Sequence, residues 1–275
     1  ALSSNTTGSH NTATGRQSLF TNTTGDYNTA SGELSLNANT TGGNNTATGA
    51  GSLEFNTTGN RNTATGANSL QSNTTGDDNV AIGYDALRAS TTGIKNVAIG
   101  NYSMDALTTG SENTGLGYSV LGANTTGGNN NAIGYFALSS NTTGGYNAAF
   151  GNSSMKANTT GDNNIAIGHL SLTANTTGTR NIALGSGALD VADTENDNLA
   201  IGYAALGGPI AGGEFNVAIG NYSLDANTTG DYNVAVGYNS LTANTTGEGN
   251  TASGDGALKA NTTGDYNTAS GSWAL

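Results

Sequence analysis

Residues 79–95 read NVAIGYDALRASTTGIK, and this 17-residue pattern decides the fold because it recurs along the whole chain. An Asn occupies its first position sixteen times, every 17 residues apart from one inserted residue before Asn216. A Gly follows four residues after each of these Asn. A short fixed period is typical of solenoids, in which each repeat forms one coil stacked on its neighbours.

Each repeat indicates a coil of short strands and tight turns. Residues 79–83 are expected to form one strand, and residues 35–38 are expected to form a second. The Asn-Thr-Thr-Gly segment is typical of a turn, since Gly tolerates positive φ and Asn and Thr bond to nearby backbone. We therefore predict an all-β, single-stranded parallel β-solenoid, or β-roll, of about 16 coils, forming one elongated domain over residues 1–275 with irregular coils at 190–215.

Four positions of the repeat hardly vary, and they predict how a coil closes. The residue two after the leading Asn is Ala in fifteen of sixteen repeats, and the residue eight after it is Leu or Met. This constancy indicates a thin interior with room for one small and one large side chain. The expected structural ladders include Asn11, Asn28, Asn79, Asn96, Asn164, Asn233, Gly15, Gly83, Gly100, Leu87 and Leu172.

One pair of positions, directly before and after that Ala, changes character along the chain. The pair is Thr or Ser in the first four and last two repeats and mostly apolar between them. Both positions share one face of a strand, opposite the Ala. If Ala is inside, the apolar face is a seam between chains, most simply around a three-fold axis; the alternative places it inside the coil. The predicted seam comprises Val80, Ile82, Val97, Ile99, Ile165, Ile167, Ile182, Leu184, Leu199, Ile201, Val217, Ile219, Val234 and Val236.

Composition restricts the partners. The net charge is −12, and the seven Lys and Arg are scattered singly, so nucleic acid is not an expected partner. No apolar run is long enough to span a bilayer, so no membrane insertion is expected in this segment. The absence of Cys fits an extracellular fibre. Because the chain begins and ends on Ala-Leu in the same register, we expect a segment of a longer array.

Chemistry-bearing residues are sparse. The two His, His10 and His169, stand at different repeat positions, and no catalytic motif accompanies them, so we expect no enzyme and no cofactor. Acids after the turn Gly, such as Asp26 and Asp77, are expected to be solvated, with calcium binding as the alternative. Asn-Thr-Thr occurs twelve times and is either a turn or a glycan acceptor. Tyr recurs directly after the coil Gly and is expected either to make surface contacts with a glycan or matrix protein or to cover the turn; these residues are Tyr84, Tyr118, Tyr135, Tyr203 and Tyr238.

A family resemblance adds to these predictions. Residues 79–86, 96–103 and 216–223 carry Asn-Val-Ala-Ile-Gly followed three residues on by Ala or Ser, which resembles the head repeat of YadA-like trimeric autotransporter adhesins. The longer unit with Ser-Leu-x-x-Asn-Thr-Thr-Gly is similar to repeat regions of bacterial surface proteins and phage tail fibres. The resemblance implies a left-handed roll that forms homotrimers, although the coil here is longer than the adhesin head unit.

The sequence therefore favours a non-enzymatic extracellular adhesin head or fibre shaft on a cell surface or virion, attaching through many weak contacts. A self-assembling structural filament or phage tail-fibre shaft is the alternative, and the Thr-rich coils leave an ice-binding solenoid as a further one. The expected partners are copies of the same chain, in a trimer or filament, and an unidentified host surface, matrix or glycan ligand.

Overall fold

The computed structural model describes residues 1–275, which fold as two compact units, Ala1–Phe136 and Ala137–Leu275. Each unit contains eight strands of three residues. The first unit holds β1 (Thr12–Thr14), β2 (Thr29–Ser31), β3 (Thr46–Thr48), β4 (Thr63–Thr65), β5 (Val80–Ile82), β6 (Val97–Ile99), β7 (Thr114–Leu116) and β8 (Asn131–Ile133). The second holds β9 (Ala148–Phe150), β10 (Ile165–Ile167), β11 (Ile182–Leu184), β12 (Leu199–Ile201), β13 (Val217–Ile219), β14 (Val234–Val236), β15 (Thr251–Ser253) and β16 (Thr268–Ser270).

Within each unit the strands form a parallel sheet in chain order, in strict register with the repeat. Ala30 of β2 lies opposite Ala47 of β3, and Ala47 lies opposite Ala64 of β4. The same 17-residue offset pairs β9 with β10 and β10 with β11, and the inserted residue makes the offset 18 between β12 and β13. The predicted all-β parallel solenoid with 17-residue coils is confirmed.

The core of each unit is a column of small and large apolar side chains, as the constant positions predicted. The central residue of every strand from β2 to β15 is buried, and it is Ala in all but β7. The Leu or Met eight residues after the leading Asn is completely buried from Leu19 to Leu241. The alternative that places Ala outside and the variable pair inside the coil is therefore wrong.

The second predicted strand, residues 35–38, is not a strand. This segment belongs to a run of turns over residues 33–38, in which Leu34 and Leu36 have φ of 60° and 49°. Its backbone still bonds to the next coil, through Leu36 N–H to the Ser52 carbonyl at 3.0 Å and Ala38 N–H to the Glu54 carbonyl at 2.9 Å. The prediction of a second strand is wrong because a 17-residue coil must reverse direction after a strand of only three residues.

Left-handed Leu residues are the local cost of this turn. A non-glycine residue in the left-handed region loses about 1–2 kcal/mol. Complete burial of a Leu side chain gains roughly 1.5–3 kcal/mol, and the equivalents of Leu36 from Leu19 to Leu241 are 0% exposed. The inward-pointing Leu therefore offsets the strain, which explains why a residue with poor left-handed propensity recurs there.

The Gly at the end of each strand is required by both conformation and space. Gly83 has φ of 135°, and a Cβ placed on it would lie 2.6 Å from both the carbonyl carbon and the oxygen of Gly100. The equivalent Gly residues stack directly on one another from coil to coil. No other residue type fits this position without displacing the neighbouring backbone.

The irregular segments 190–197 and 207–215 lie side by side, as their positions in the repeat predicted. Glu195, which replaces the usual turn Gly, is 4% exposed and its carboxylate accepts three backbone N–H groups, from Asp193 at 2.8 Å, Thr194 at 3.0 Å and Gly212 at 3.0 Å. Asn196 Nδ2 donates to Glu214 Oε1 at 2.7 Å. The buried acid is thus satisfied by the fold and joins the two segments.

Candidate interaction surface

Two buried ladders of Asn side chains fix the backbone of the strands whose outer faces form the candidate surface. In the first, the Oδ1 of Asn45 accepts the backbone N–H of Asn62 at 2.9 Å, and the Nδ2 of Asn62 donates to the carbonyl of Gly76 at 2.8 Å. The first bond joins neighbouring coils, and the second joins the start of a coil to its own last turn. A coil is therefore closed and stacked by the same side chain, which explains why Asn leads every repeat.

The Asn of the Asn-Thr-Thr-Gly turn forms the second ladder, which the sequence did not reveal. Asn39 Nδ2 donates to Asn22 Oδ1 at 2.8 Å and to the Gly42 carbonyl at 2.9 Å. The ladder is broken where the sequence changes: the Oδ1 of Asn73, the Ser90 hydroxyl and the Oδ1 of Asn175 have no hydrogen-bond partner, since Ser90 and Ala192 replace Asn in the following coils.

This ladder decides how the Asn-Thr-Thr sequons are used. Ten of the twelve sequon Asn are completely buried, and they are Asn22, Asn39, Asn56, Asn73, Asn124, Asn141, Asn158, Asn175, Asn227 and Asn244. A glycan on a buried ladder Asn has no room in the folded coil. The turn reading is therefore the one that the geometry supports.

We expect N-glycosylation during synthesis to block folding. Produced in a host that glycosylates Asn-Thr-Thr, the chain should carry glycans by mass spectrometry and lack β-sheet circular dichroism. The control is a chain in which the exposed third residue of each sequon, such as Thr41 or Thr58, is changed to Ala, because this removes the acceptor motif and leaves the ladder Asn. A heavily glycosylated chain with native circular dichroism would contradict the expectation.

The acids after the turn Gly are not simply solvated, contrary to the sequence interpretation. Asp26 Oδ1 accepts the backbone N–H of Ser9 at 2.7 Å, and Asp77 Oδ1 accepts that of Asn60 at 2.6 Å. The bond from the Ser9 backbone lowers the pKa of the Asp26 carboxyl. These carboxylates cap backbone groups of the preceding coil. No group of three or more His, Asp or Glu side chains is arranged to hold a metal ion.

The variable pair faces outward in both units. In the first, Ile82, Leu116 and Ile133 are 39%, 42% and 42% exposed, and the strand partners Val80, Val97 and Ile99 are half-buried. In the second unit, every predicted seam residue is exposed or half-buried; they are Ile165, Ile167, Ile182, Leu184, Leu199, Ile201, Val217, Ile219, Val234 and Val236. Each unit therefore presents an apolar row, in register, on the outer face of its sheet.

The same outer face is polar where the repeat carries Thr. Thr12, Thr29 and Thr46 pair in register along β1 to β3 and are exposed, as are Thr14, Ser31 and Thr48. The first four strands therefore present two parallel columns of hydroxyl groups. The change from Thr to Val and Ile alters the chemistry of the face and leaves the coil unchanged.

The five Tyr singled out from the sequence are exposed, and the structure groups them into two clusters. Tyr84, Tyr118 and Tyr135 belong to the first unit and are 42–51% exposed. Tyr203 and Tyr238 belong to the second, and both are 52% exposed. All five occupy the position directly after the strand-ending Gly.

Each cluster is joined by a further Tyr that the register of the repeat does not reveal. Tyr102 lies between Tyr84 and Tyr118, with ring centroids 5.5 and 5.7 Å away and near-perpendicular planes. Tyr222 lies in the same way between Tyr203 and Tyr238, at 5.4 and 6.1 Å. Tyr102 and Tyr222 stand two residues after the strand-ending Gly, whereas the other five stand one residue after it. The Gly-Asn-Tyr-Ser sequence that both coils share is the feature that could have identified them.

Half-buried carboxylates accompany the central Tyr of each cluster. Asp105 and Asp225 stand three residues after Tyr102 and Tyr222, and desolvation raises the pKa of both carboxyls. Desolvation also raises the pKa of the Tyr102 hydroxyl, with added effects from Tyr84 and Tyr118. The basic residue Arg88 faces Asp85 at 3.7 Å. Asp85 and Asp105 both act on Tyr102, so the surroundings of the first cluster are neutral to acidic.

The surface has no pocket, and no helix of the structure has the length and apolarity to cross a membrane. What the chain presents is a repeated outer face with apolar rows, hydroxyl columns and aromatic clusters. No protein-family model matches this chain, and no curated protein matches it significantly.

Proposed function

We propose that this chain is a non-enzymatic, extracellular attachment protein that acts as an adhesin head or fibre shaft. The observation that carries the proposal is the apolar row on the outer face of each sheet. Soluble monomers rarely leave a contiguous apolar patch in water, so such a row marks an interaction surface. Attachment then comes from many weak contacts on one rigid scaffold, and it requires no deep site.

The apolar rows serve in this proposal as the seam of a homotrimer. Three copies around an axis would bury the Val and Ile side chains against each other. The resemblance of residues 79–86 to trimeric adhesin heads supports this arrangement, and the same resemblance supports a left-handed roll. The rigid Asn ladders behind the strands hold the rows in register, so that little conformational entropy is lost on association.

Solution mass tests the seam. We expect the wild-type chain to have the mass of a trimer by multi-angle light scattering. We expect the variant with Ile165, Ile167, Ile182 and Leu184 all changed to Thr to dissociate at micromolar concentration, with unchanged circular dichroism. Thr is native at both positions in β1, β3 and β4, and β2 carries Thr29 and Ser31, so the coil accepts hydroxyl side chains there. Thr160→Ala with Thr177→Ala, exposed on another part of the coil, is the matched control. A wild-type chain with the solution mass of a monomer would contradict the proposed seam.

Two other functions rest on features of the same face. A structural filament or phage tail-fibre shaft would use the apolar rows for lateral association, and electron micrographs showing long polymers of the purified chain would favour it over the adhesin. Ice binding would use the in-register hydroxyl columns of β1 to β4. Thermal hysteresis in solutions of the purified chain would favour that function, and its absence would remove it.

A further inference from the structure

The two aromatic clusters are copies of one arrangement. Residues 96–106 and 216–226 are identical at ten of eleven positions, NVAIGNYSMDA and NVAIGNYSLDA. In each case the preceding and following coils carry Tyr directly after the strand-ending Gly. The arrangement that is repeated is a triad of Tyr: the first triad is Tyr84, Tyr102 and Tyr118, and the second triad is Tyr203, Tyr222 and Tyr238. In the first cluster Tyr118 also stacks on Tyr135 at 5.5 Å and meets Phe136 edge-on at 5.6 Å.

The backbone beneath the rings is fixed in the same way in both triads. The N–H of Tyr84 donates to Asn101 Oδ1 at 3.0 Å, and the N–H of Tyr102 donates to the Tyr84 carbonyl at 2.9 Å. In the second triad the N–H of Tyr203 donates to Asn221 Oδ1 at 2.9 Å, and the N–H of Tyr222 donates to the Tyr203 carbonyl at 3.0 Å. The Asn of the Gly-Asn-Tyr-Ser coil therefore anchors the outer Tyr of the coil before it.

The ring geometry is that of a preorganised surface. In both triads the central ring is half-buried and meets its two neighbours edge-on, at interplanar angles of 76–82°. The outer rings stay 42–52% exposed. Packing against the central ring limits rotation of the outer rings, which lowers the entropy lost when a ligand stacks on them.

Charge and shape narrow the class of ligand. The chain carries a net charge of −12, and the carboxylates of Asp85 and Asp105 act on the Tyr102 hydroxyl at the centre of the first triad, so anionic ligands are disfavoured. Because the three rings of a triad come from three consecutive coils, a ligand that contacts both outer rings has to be extended. Neighbouring coils lie about 4.8 Å apart, so the outer rings of a triad are separated by about 10 Å, close to the length of a disaccharide.

We propose that each triad is a docking platform for a neutral, extended polysaccharide, whose sugar rings lay their C–H faces on the outer Tyr rings. Hydroxyl groups of the sugar would bond to the Tyr hydroxyls, since Tyr combines an apolar face with a polar end. This inference names the ligand class of the proposed attachment function and rests on it. Two copies on one chain double the valency of every molecule.

The test uses cellohexaose and N-acetylchitohexaose as probes in calorimetric titrations of the full chain. We expect at least one of these sugars to bind with two sites per chain. Tyr203→Ala with Tyr238→Ala should reduce this to one site, and adding Tyr84→Ala with Tyr118→Ala should weaken binding at least tenfold. Ala is native at the equivalent position in the coils of Ala50 and Ala67, so the coil tolerates the change.

Tyr146→Ala is the matched control, because Tyr146 is 65% exposed and lies outside both triads. Each variant must keep the wild-type circular dichroism and solution mass, so that lost binding is assigned to the rings. Equal binding by wild type and the four-Tyr variant would overturn the proposal, as would binding of neither sugar. If neither sugar binds and a gelatin-coated surface still retains the chain, the polysaccharide inference fails and the attachment function stands.

Discussion

Gly83→Ala should destabilise the solenoid by more than about 3 kcal/mol, because strain and a backbone clash act together. The added Cβ would lie 2.6 Å from the carbonyl of Gly100, and the residue would have to hold φ near 135°. Neither atom of that carbonyl can move away without breaking the stacking of the next coil. Chemical denaturation followed by circular dichroism measures the effect.

Gly187→Ala is the matched control for this change. Gly187 has φ of 65°, and its nearest neighbour to an added Cβ is Asp190 Oδ2 at 3.7 Å. Ala204 holds the equivalent position one coil later with φ of 48°. We expect a change within about 1 kcal/mol of wild type. If Gly83→Ala were as mild as Gly187→Ala, the strand-ending Gly would not be required by the close approach of the coils.

Asn96→Asp should cost about 3 kcal/mol or more at neutral pH, although the two side chains have the same shape. The Nδ2 of Asn96 donates to the Gly110 carbonyl at 2.9 Å and to Asn79 Oδ1 at 3.2 Å. A carboxylate would place a charged acceptor against these two acceptors, in a site that is 0% exposed. Thermal and chemical denaturation of the variant and wild type give the difference.

The pH dependence of Asn96→Asp has a definite sign. Burial beside two acceptors would raise the folded-state pKa of the new carboxyl above its unfolded value, so its protonated form is the better tolerated one. The deficit against wild type should therefore shrink as the pH falls through that raised pKa and grow as the pH rises. Asn101→Asp is the control, because exposed Asn101 only accepts the Tyr84 N–H and a carboxylate can do the same. A pH-independent loss at Asn96 would contradict this account.

Much of the fold could be predicted because one chain contains sixteen versions of the same coil, and constant and variable positions can be distinguished by comparing them. A position that is Ala in fifteen of sixteen repeats, such as Ala81, is under a steric constraint, and a position that changes between Thr and Val, such as residue 80, has more freedom. Residues 35–38, predicted as the second short strand of the coil, form a turn in which Leu36 is left-handed, a conformation that Leu does not indicate by sequence. Left-handed Leu36 is stable only because the finished coil buries its side chain.

The candidate surface was predicted in part. The exposed Tyr84, Tyr118 and Tyr203 follow a visible repeat position, whereas Tyr102 and Tyr222 are shifted by one residue and escape a search by register. The second Asn ladder was hidden because Asn-Thr-Thr-Gly has a sufficient local explanation as a turn. Its coil-to-coil bond, between Asn39 and Asn22, joins residues 17 apart and exists only after stacking.

The sequence by itself determined the period, the parallel stacking in register and the identity of the constant positions, because each of these follows from the repetition of one short pattern. The tertiary structure decided which face of the strand is interior, how the chain turns between strands and which side chains meet across coils. Side chains alternate between the two faces of a three-residue strand, and this alternation does not say which face is interior. The small volume inside the closed coil decides it, since that volume accommodates the Ala and Leu side chains and leaves Val80, Ile82 and the Tyr triads facing outward.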